Sequence, residues 1–205
     1  MLNGYRPVIL FLMNHSTIQE AVNQLKKGHL VLFSWEEGWS LGCDASQAPV
    51  AERLSAWKAP DSTDPFVVLI AEIGQLQQYT EKVPEVAWDL VEFAEKPLSV
   101  IYPKGKNVAP TLLAADGSLA LRLVKENETR TSPIYQLVKR LGRGLATVSV
   151  SYVNLPATCR LEEVNHELIK SVDFTLDLKP VSQVRPSLST LIRLELDGQI
   201  TFLRR

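Results

Sequence analysis

Residues 66–70 read Phe66-Val67-Val68-Leu69-Ile70, an unbroken apolar run. Successive strand residues point to opposite faces, so a strand of this composition has to be covered on both sides. Outward from this strand, the chain supplies the covering helices. Upstream, Thr17-Ile18-Gln19-Glu20 is a capping box, in which the Thr and Glu side chains each satisfy an exposed helix N–H. Ile18, Ala21, Val22 and Leu25 then recur at helical spacing, and Gly28 supplies the stop. His29 to Phe33 reads as a buried strand, and Asp44 to Trp57 as a helix patterned by Val50, Leu54 and Trp57 and ended by Pro60.

Downstream, helical patterns over Ile73–Tyr79 and Pro84–Glu95 lead into strands at Leu98–Tyr102 and Ser118–Val124. A basic helix is predicted over Pro133–Leu141, a strand over Leu145–Ser151, a helix over Leu161–Lys170 and a strand over Val172–Leu178. The last elements read as a hairpin, Ser189–Leu196 and Gln199–Leu203, around a two-residue Asp197-Gly198 turn. Alternating helices and strands that end in a hairpin predict an α/β fold with a mixed sheet. No repeat, low-complexity tract or linker divides the chain, so residues 13–205 are expected to form one domain preceded by a 1–12 extension.

The chain has 205 residues, 45% apolar and 22% charged. A globule of that length buries roughly 70% of its unfolded surface and needs neither disulfide nor metal to hold a core. With 22 Lys+Arg against 23 Asp+Glu, the formal charge is -1. That balance excludes an adhesive nucleic-acid coat or a polybasic membrane binder, so any anion site has to be built locally. The run Val8-Ile9-Leu10-Phe11-Leu12-Met13 is too short to span a bilayer. A cytoplasmic protein with no membrane or DNA partner is expected.

Cys43 and Cys159 stand far apart and His15, His29 and His166 are scattered, so no zinc-ligand pair is present and free thiols are expected. Phosphate-loop glycines and a nucleophile elbow are also missing. The neighbours Glu36 and Glu37 read as a solvated loop, because adjacent strand carboxylates do not converge unless the backbone turns. Lys139, Arg140 and Arg143 close the basic helix, as a dipole-matched surface end or as a patch for an RNA backbone. Arg122 lies inside an apolar strand, where an unpaired charge is expensive. Either a structural ion pair or an anion pocket accounts for it.

The ordered set Leu41-Gly42-Cys43-Asp44-Ala45, Lys58, Lys96-Pro97-Leu98-Ser99, Leu119-Ala120-Leu121-Arg122, Ser149-Val150-Ser151, Ser189-Thr190, Asp197-Gly198 and Arg204 resembles the YrdC-like family. These are the threonylcarbamoyl-AMP synthases of tRNA modification, and the resemblance runs from about Met13 to Arg204. It implies a twisted mixed sheet flanked by helices with a cationic concave pocket. It also implies a reaction that joins threonine, bicarbonate and ATP, with Mg as the accompanying ion, and releases pyrophosphate. The implied partners are tRNA or double-stranded RNA and other tRNA-modification proteins. Attack of a carbamate oxygen on the α-phosphate needs positioning and charge neutralisation rather than a covalent nucleophile.

Carried across, the resemblance places the nucleotide and phosphate contacts at Lys58, Arg122, Ser149, Ser151, Ser189 and Arg204. The family's Pro-Thr-Asp-Thr threonine loop reads Ser34-Trp35-Glu36-Glu37 here, which makes Trp35, Glu36 and Glu37 a former threonine site. The family's Lys-x-Arg keeps Lys58 but has Pro60 for arginine, and a further lysine becomes Asp64. Pro60 removes one positive charge, Asp64 shifts the balance by two and Glu37 adds one negative, leaving the region about four units more negative than the family pattern.

Three readings follow. The first is a divergent protein with impaired catalysis and residual nucleotide or double-stranded RNA binding. The second is an active synthase that makes threonylcarbamoyl-AMP or a related adenylate. The third is a scaffold whose RNA surface is Lys139, Arg140 and Arg143.

Overall fold

The computed structural model describes residues 15–35, 37–58, 62–126, 132–150, 161, 164–178 and 188–205. The expectations for residues 1–12, Glu36, Pro60, Ser151 and Cys159 lie outside the described residues. Among the described residues, nine strands form one mixed sheet in the order β7-β1-β2-β6-β3-β5-β4-β8-β9. They are β1 (Val31–Trp35), β2 (Gly38–Asp44), β3 (Val67–Ile70), β4 (Leu98–Tyr102), β5 (Leu119–Leu123), β6 (Leu145–Ser149), β7 (Phe174–Asp177), β8 (Thr190–Leu194) and β9 (Ile200–Arg204). The helices are α1 (His15–Lys26), α2 (Ala48–Ser55), α3 (Leu76–Tyr79), α4 (Glu85–Glu92), α5 (Pro133–Leu141) and α6 (His166–Ser171).

The apolar run at residues 66–70 contains β3, which lies at the centre of the sheet. Its alternate side chains enter two separate cores, as a strand covered on both faces requires. Val68 and Ile70 pack with Leu41, Leu121, Val148 and Ile192 beneath α2, α4 and α6. Leu69 packs on the opposite face with Val31, Phe33 and Leu145 beneath α1 and α5. Helix α5 shows how local sequence sets this layer. Pro133 stands at its first turn, Gly142 caps it at φ +70°, and Ile134, Tyr135, Leu137, Val138 and Leu141 form its buried stripe.

Two local expectations are corrected. Residues Gly38–Asp44, outside any sequence-predicted strand, form β2, which pairs antiparallel with β1 and closes at Trp35 opposite Gly38. Trp39, Leu41 and Cys43 alternate with Gly38, Ser40, Gly42 and Asp44, and that period of two is the strand signal. The hairpin between β8 and β9 has a three-residue loop. Glu195 N–H donates to the Gln199 carbonyl (2.9 Å) and Gly198 N–H to the Glu195 carbonyl (3.0 Å). Gly198 at φ +90° supplies the left-handed position that this three-residue loop needs.

Candidate functional site

The strand register assembles a polar patch on the sheet face that α1 and α5 cover only in part. Ser40 on β2 stands opposite Ser149 on β6. Thr147 stands beside Val67 on β3, which in turn neighbours Ala120 on β5. Arg122 projects from the same face of β5, two residues further along. Ser99 on β4 adds a hydroxyl 2.8 Å from that of Ser189. Ser40, Ser99, Arg122, Thr147, Ser149 and Ser189 are all buried.

Glu37 follows β1 and immediately precedes Gly38 of β2, where Trp35 stands opposite Gly38. Glu37 is buried at 9% exposure, which corrects the expectation of a solvated loop for that residue. Its carboxylate forms an ion pair with Arg122. The same Oε1 accepts the backbone N–H of Ser189 at 2.7 Å. The Trp35 ring lies against the arginine, 4.6 Å from its guanidinium carbon. Trp35 is itself fixed, because its indole N–H donates to Ser40 Oγ at 2.8 Å. A cation, a backbone donor and an aromatic wall thus enclose a carboxylate supplied by the chain itself. Breaking such a buried pair from one side leaves an uncompensated charge, at a cost of about 3–5 kcal/mol.

Arg204 reaches the same area from β9. Its Nε donates to the Ser189 carbonyl (3.0 Å), and its Nη1 pairs with Asp64 Oδ1 (3.0 Å). Both acids that depart from the family pattern, Glu37 and Asp64, therefore pair with the two arginines that match it. Lys58 lies over the Phe66 ring at 4.9 Å. Burial lowers its pKa below the ordinary lysine value, and nearby Asp64 opposes that shift.

The three cations on and after α5 are less concentrated than the sequence suggested. Lys139 donates to Tyr135 Oη (2.8 Å) and approaches Glu72 at 3.6 Å, while Arg143 pairs with the fully buried Asp44 at 3.1 Å. Arg140 is half-buried. Cys43 is buried, and burial together with the Asp44 charge pushes its thiol up to about 12, which keeps it protonated and a poor nucleophile. Among the described residues no group of three or more His, Cys, Asp or Glu is placed to hold a metal ion. Among them, too, no helix is long and apolar enough to cross a membrane.

Ser40, Ser99 and Thr147 were not among the sequence-expected site residues. The alternation in Gly38–Asp44 and the lone hydroxyl in Leu98-Ser99-Val100 were the available signals.

Comparison with known proteins gives a consistent result. A threonylcarbamoyl-AMP synthase of Bacillus subtilis is 27% identical over 158 residues, covering 76% of this chain and 44% of that protein. A threonylcarbamoyl-AMP synthase of Pseudoalteromonas translucida is 22% identical, covering 85% of this chain and 92% of that protein. The chain therefore spans less than half of the first relative and nearly all of the second. Among solved structures, Sua5 of P. abyssi complexed with L-threonine superposes with a TM-score of 0.79 at 21% identity, over 95% of this chain and 55% of that one. The crystal structure of E. coli YciO gives 0.76 at 22% identity, over 94% and 90%. The Sua5/YciO/YrdC family model, described as telomere recombination, matches residues 23–205. With the mixed sheet and its partly covered polar face, that match places the chain in the Sua5/YciO/YrdC family.

Proposed function

We propose that this chain is a divergent member of the threonylcarbamoyl-AMP synthase group that does not carry out the synthesis, because its own Glu37 carboxylate occupies the anion site. One observation carries the reading: Arg122 and the Ser189 N–H converge on Glu37. An arginine and a backbone N–H converging on one oxygen are the donors that a phosphate or carboxylate ligand would require.

The residues present fit poorly with ATP and Mg. A phosphate beside Arg122 would meet the Glu37 carboxylate, and two like unit charges ~4 Å apart repel by up to ~4 kcal/mol at an effective dielectric of ~20. Asp64 likewise holds Arg204. Trp35 fills space where the resemblance expects a small threonine side chain to sit. For these reasons Lys58, Arg122, Ser149, Ser151, Ser189 and Arg204 are proposed as remnants of the nucleotide site. Residual RNA contact is assigned to the α5 end through Lys139, Arg140 and Arg143, and tRNA-modification proteins are the proposed partners in a cytoplasmic setting. Residues 13–205 are proposed as the domain unit, with 1–12 as an extension.

The test is pyrophosphate release from ATP in the presence of threonine and bicarbonate. The expected outcome is no release above the protein-free rate. Threonine-dependent release would overturn the reading.

A second reading, an active adenylate-forming enzyme, draws support from Lys58. This lysine is retained, sits over Phe66 and has a pKa lowered by burial. It calls for the same assay across the other amino acids, and silence with every one of them removes it.

A further inference from the structure

We propose that β9 is a self-association edge, through which two copies of this chain join antiparallel into one continuous sheet. Among the described residues, strand β9 pairs with β8 on one side and is the last strand of the sheet. Exposed strand edges that carry apolar residues are templates for another strand, and natural proteins commonly blunt them with lysine or proline. The β9 residues, Ile200-Thr201-Phe202-Leu203-Arg204, contain neither. Ile200, Phe202 and Leu203 are 37%, 55% and 53% exposed.

The ladder decides which backbone groups face outward. Glu195 and Gln199 are hydrogen-bonded across the hairpin. The bonding pairs of an antiparallel ladder recur every second residue, so the next is Arg193 with Thr201. The N–H and C=O groups of Ile200 and Phe202 therefore point to the open edge. A register shift between Leu191 and Ile192 places a bulge at Leu203, which ends the regular edge there.

A two-fold axis at Thr201 sets Ile200 of each copy opposite Phe202 of the other, so all four outward residues of the pair meet. Antiparallel pairing about Thr201 also brings the Arg205 end of each copy toward the Asp197 turn of the other. Asp197 accepts the Gln199 N–H (3.0 Å) and Arg205 lies over its own Phe202 ring (5.0 Å), and neither forms an ion pair among the described residues. The strand is thus electrostatically self-complementary, acidic before it and basic at its end. This charge match selects a second copy as the occupant. Ile200 and Phe202 stand opposite Leu194 and Ile192, which pack in the core beneath α4. A Cβ at Gly198 would stand 3.8 Å from Val86 of that helix, which is exposed. Pairing about an axis perpendicular to the sheet brings both α4 helices to one side of it, flanking the four apolar side chains.

Sedimentation velocity of the full 205-residue chain over a range of concentrations tests the assignment. The expected result is a reversible shift from 22.9 kDa to twice that mass. Phe202→Lys should weaken the association at least tenfold, with an unchanged far-ultraviolet circular dichroism spectrum. Asp197→Arg should weaken it, and adding Arg205→Asp should restore it. A wild-type chain that stays monomeric at every concentration overturns the proposal, as does a dimer indifferent to both Phe202→Lys and Asp197→Arg. Neither outcome bears on the Glu37 site, because Phe202, Asp197 and Arg205 are not among the residues that hold Glu37.

Discussion

Glu37 concentrates most of the chemistry into one side chain. Replacing it with threonine, the residue type of the family pattern, removes the Glu37 carboxylate from the buried Arg122 beside Trp35. We expect Glu37→Thr to lose about 3–5 kcal/mol of stability. Glu37→Gln, which keeps an acceptor for the Arg122 and Ser189 donors, should lose less. Inorganic phosphate should raise the melting temperature of Glu37→Thr and leave the wild type unmoved, because a ligand stabilises only the protein it binds. Thermal melts with and without phosphate check both statements, and a wild type that phosphate stabilises equally contradicts them. This pairing was not legible in the sequence. Glu37 and Arg122 are 85 residues apart and Glu37 and Ser189 are 152 apart. No local pattern reports a contact between positions so distant. What could be read was that Arg122 needs an anionic partner inside an apolar strand and that Glu37 departs from the family pattern.

At the scale of elements, the β1–β2 hairpin positions Glu37, and its packing is tight. A Cβ at Gly42 would meet Phe33 Cε1 at 2.7 Å and Leu145 Cδ1 at 3.2 Å. Gly42→Val should therefore cost ~1–3 kcal/mol through overpacking, read as a lower denaturant midpoint at unchanged slope. The β5 and β8 region carries a pH-dependent tie. Hydrogen bonds from Ser118 and then Arg193 lower the Asp116 pKa to about 2, with Arg193 Nη2 2.7 Å from its Oδ2. The depressed folded value means that the carboxylate stabilises the fold above its unfolded pKa of ~3.9. That contribution fades as the pH falls from ~4 through 2. Asp116 is half exposed, so solvent screening holds the effect below ~1 kcal/mol. Asp116→Asn should flatten the loss of stability between pH 5 and 2, and an unchanged acid limb in urea titrations contradicts it. The helix Pro133–Leu141 and the strand Leu98–Tyr102 matched their sequence bounds, because proline, glycine and apolar periodicity mark them locally. Strand β2 did not, because Gly38 and Gly42 weaken a strand by propensity and are used here for a turn and a close approach.

Over the whole molecule, the near-zero charge that excluded a broad anion-binding surface has a local counterpart. The acids at Glu37 and Asp64 pair with the arginines at 122 and 204, the two arginines of the nucleotide site proposed above. The α/β class and the family were legible from ordered short motifs, since strand order and framework glycines follow local sequence. The state of the site was not, because it depends on side chains from β5, β9 and two loops meeting after the sheet has formed. Isothermal titration of ATP into the wild-type protein and into Glu37→Thr, side by side at one ionic strength, tests the central claim most directly. The account predicts no measurable heat of binding to the wild type and saturable binding to the variant. Micromolar ATP affinity in the wild type, undiminished relative to Glu37→Thr, would contradict it.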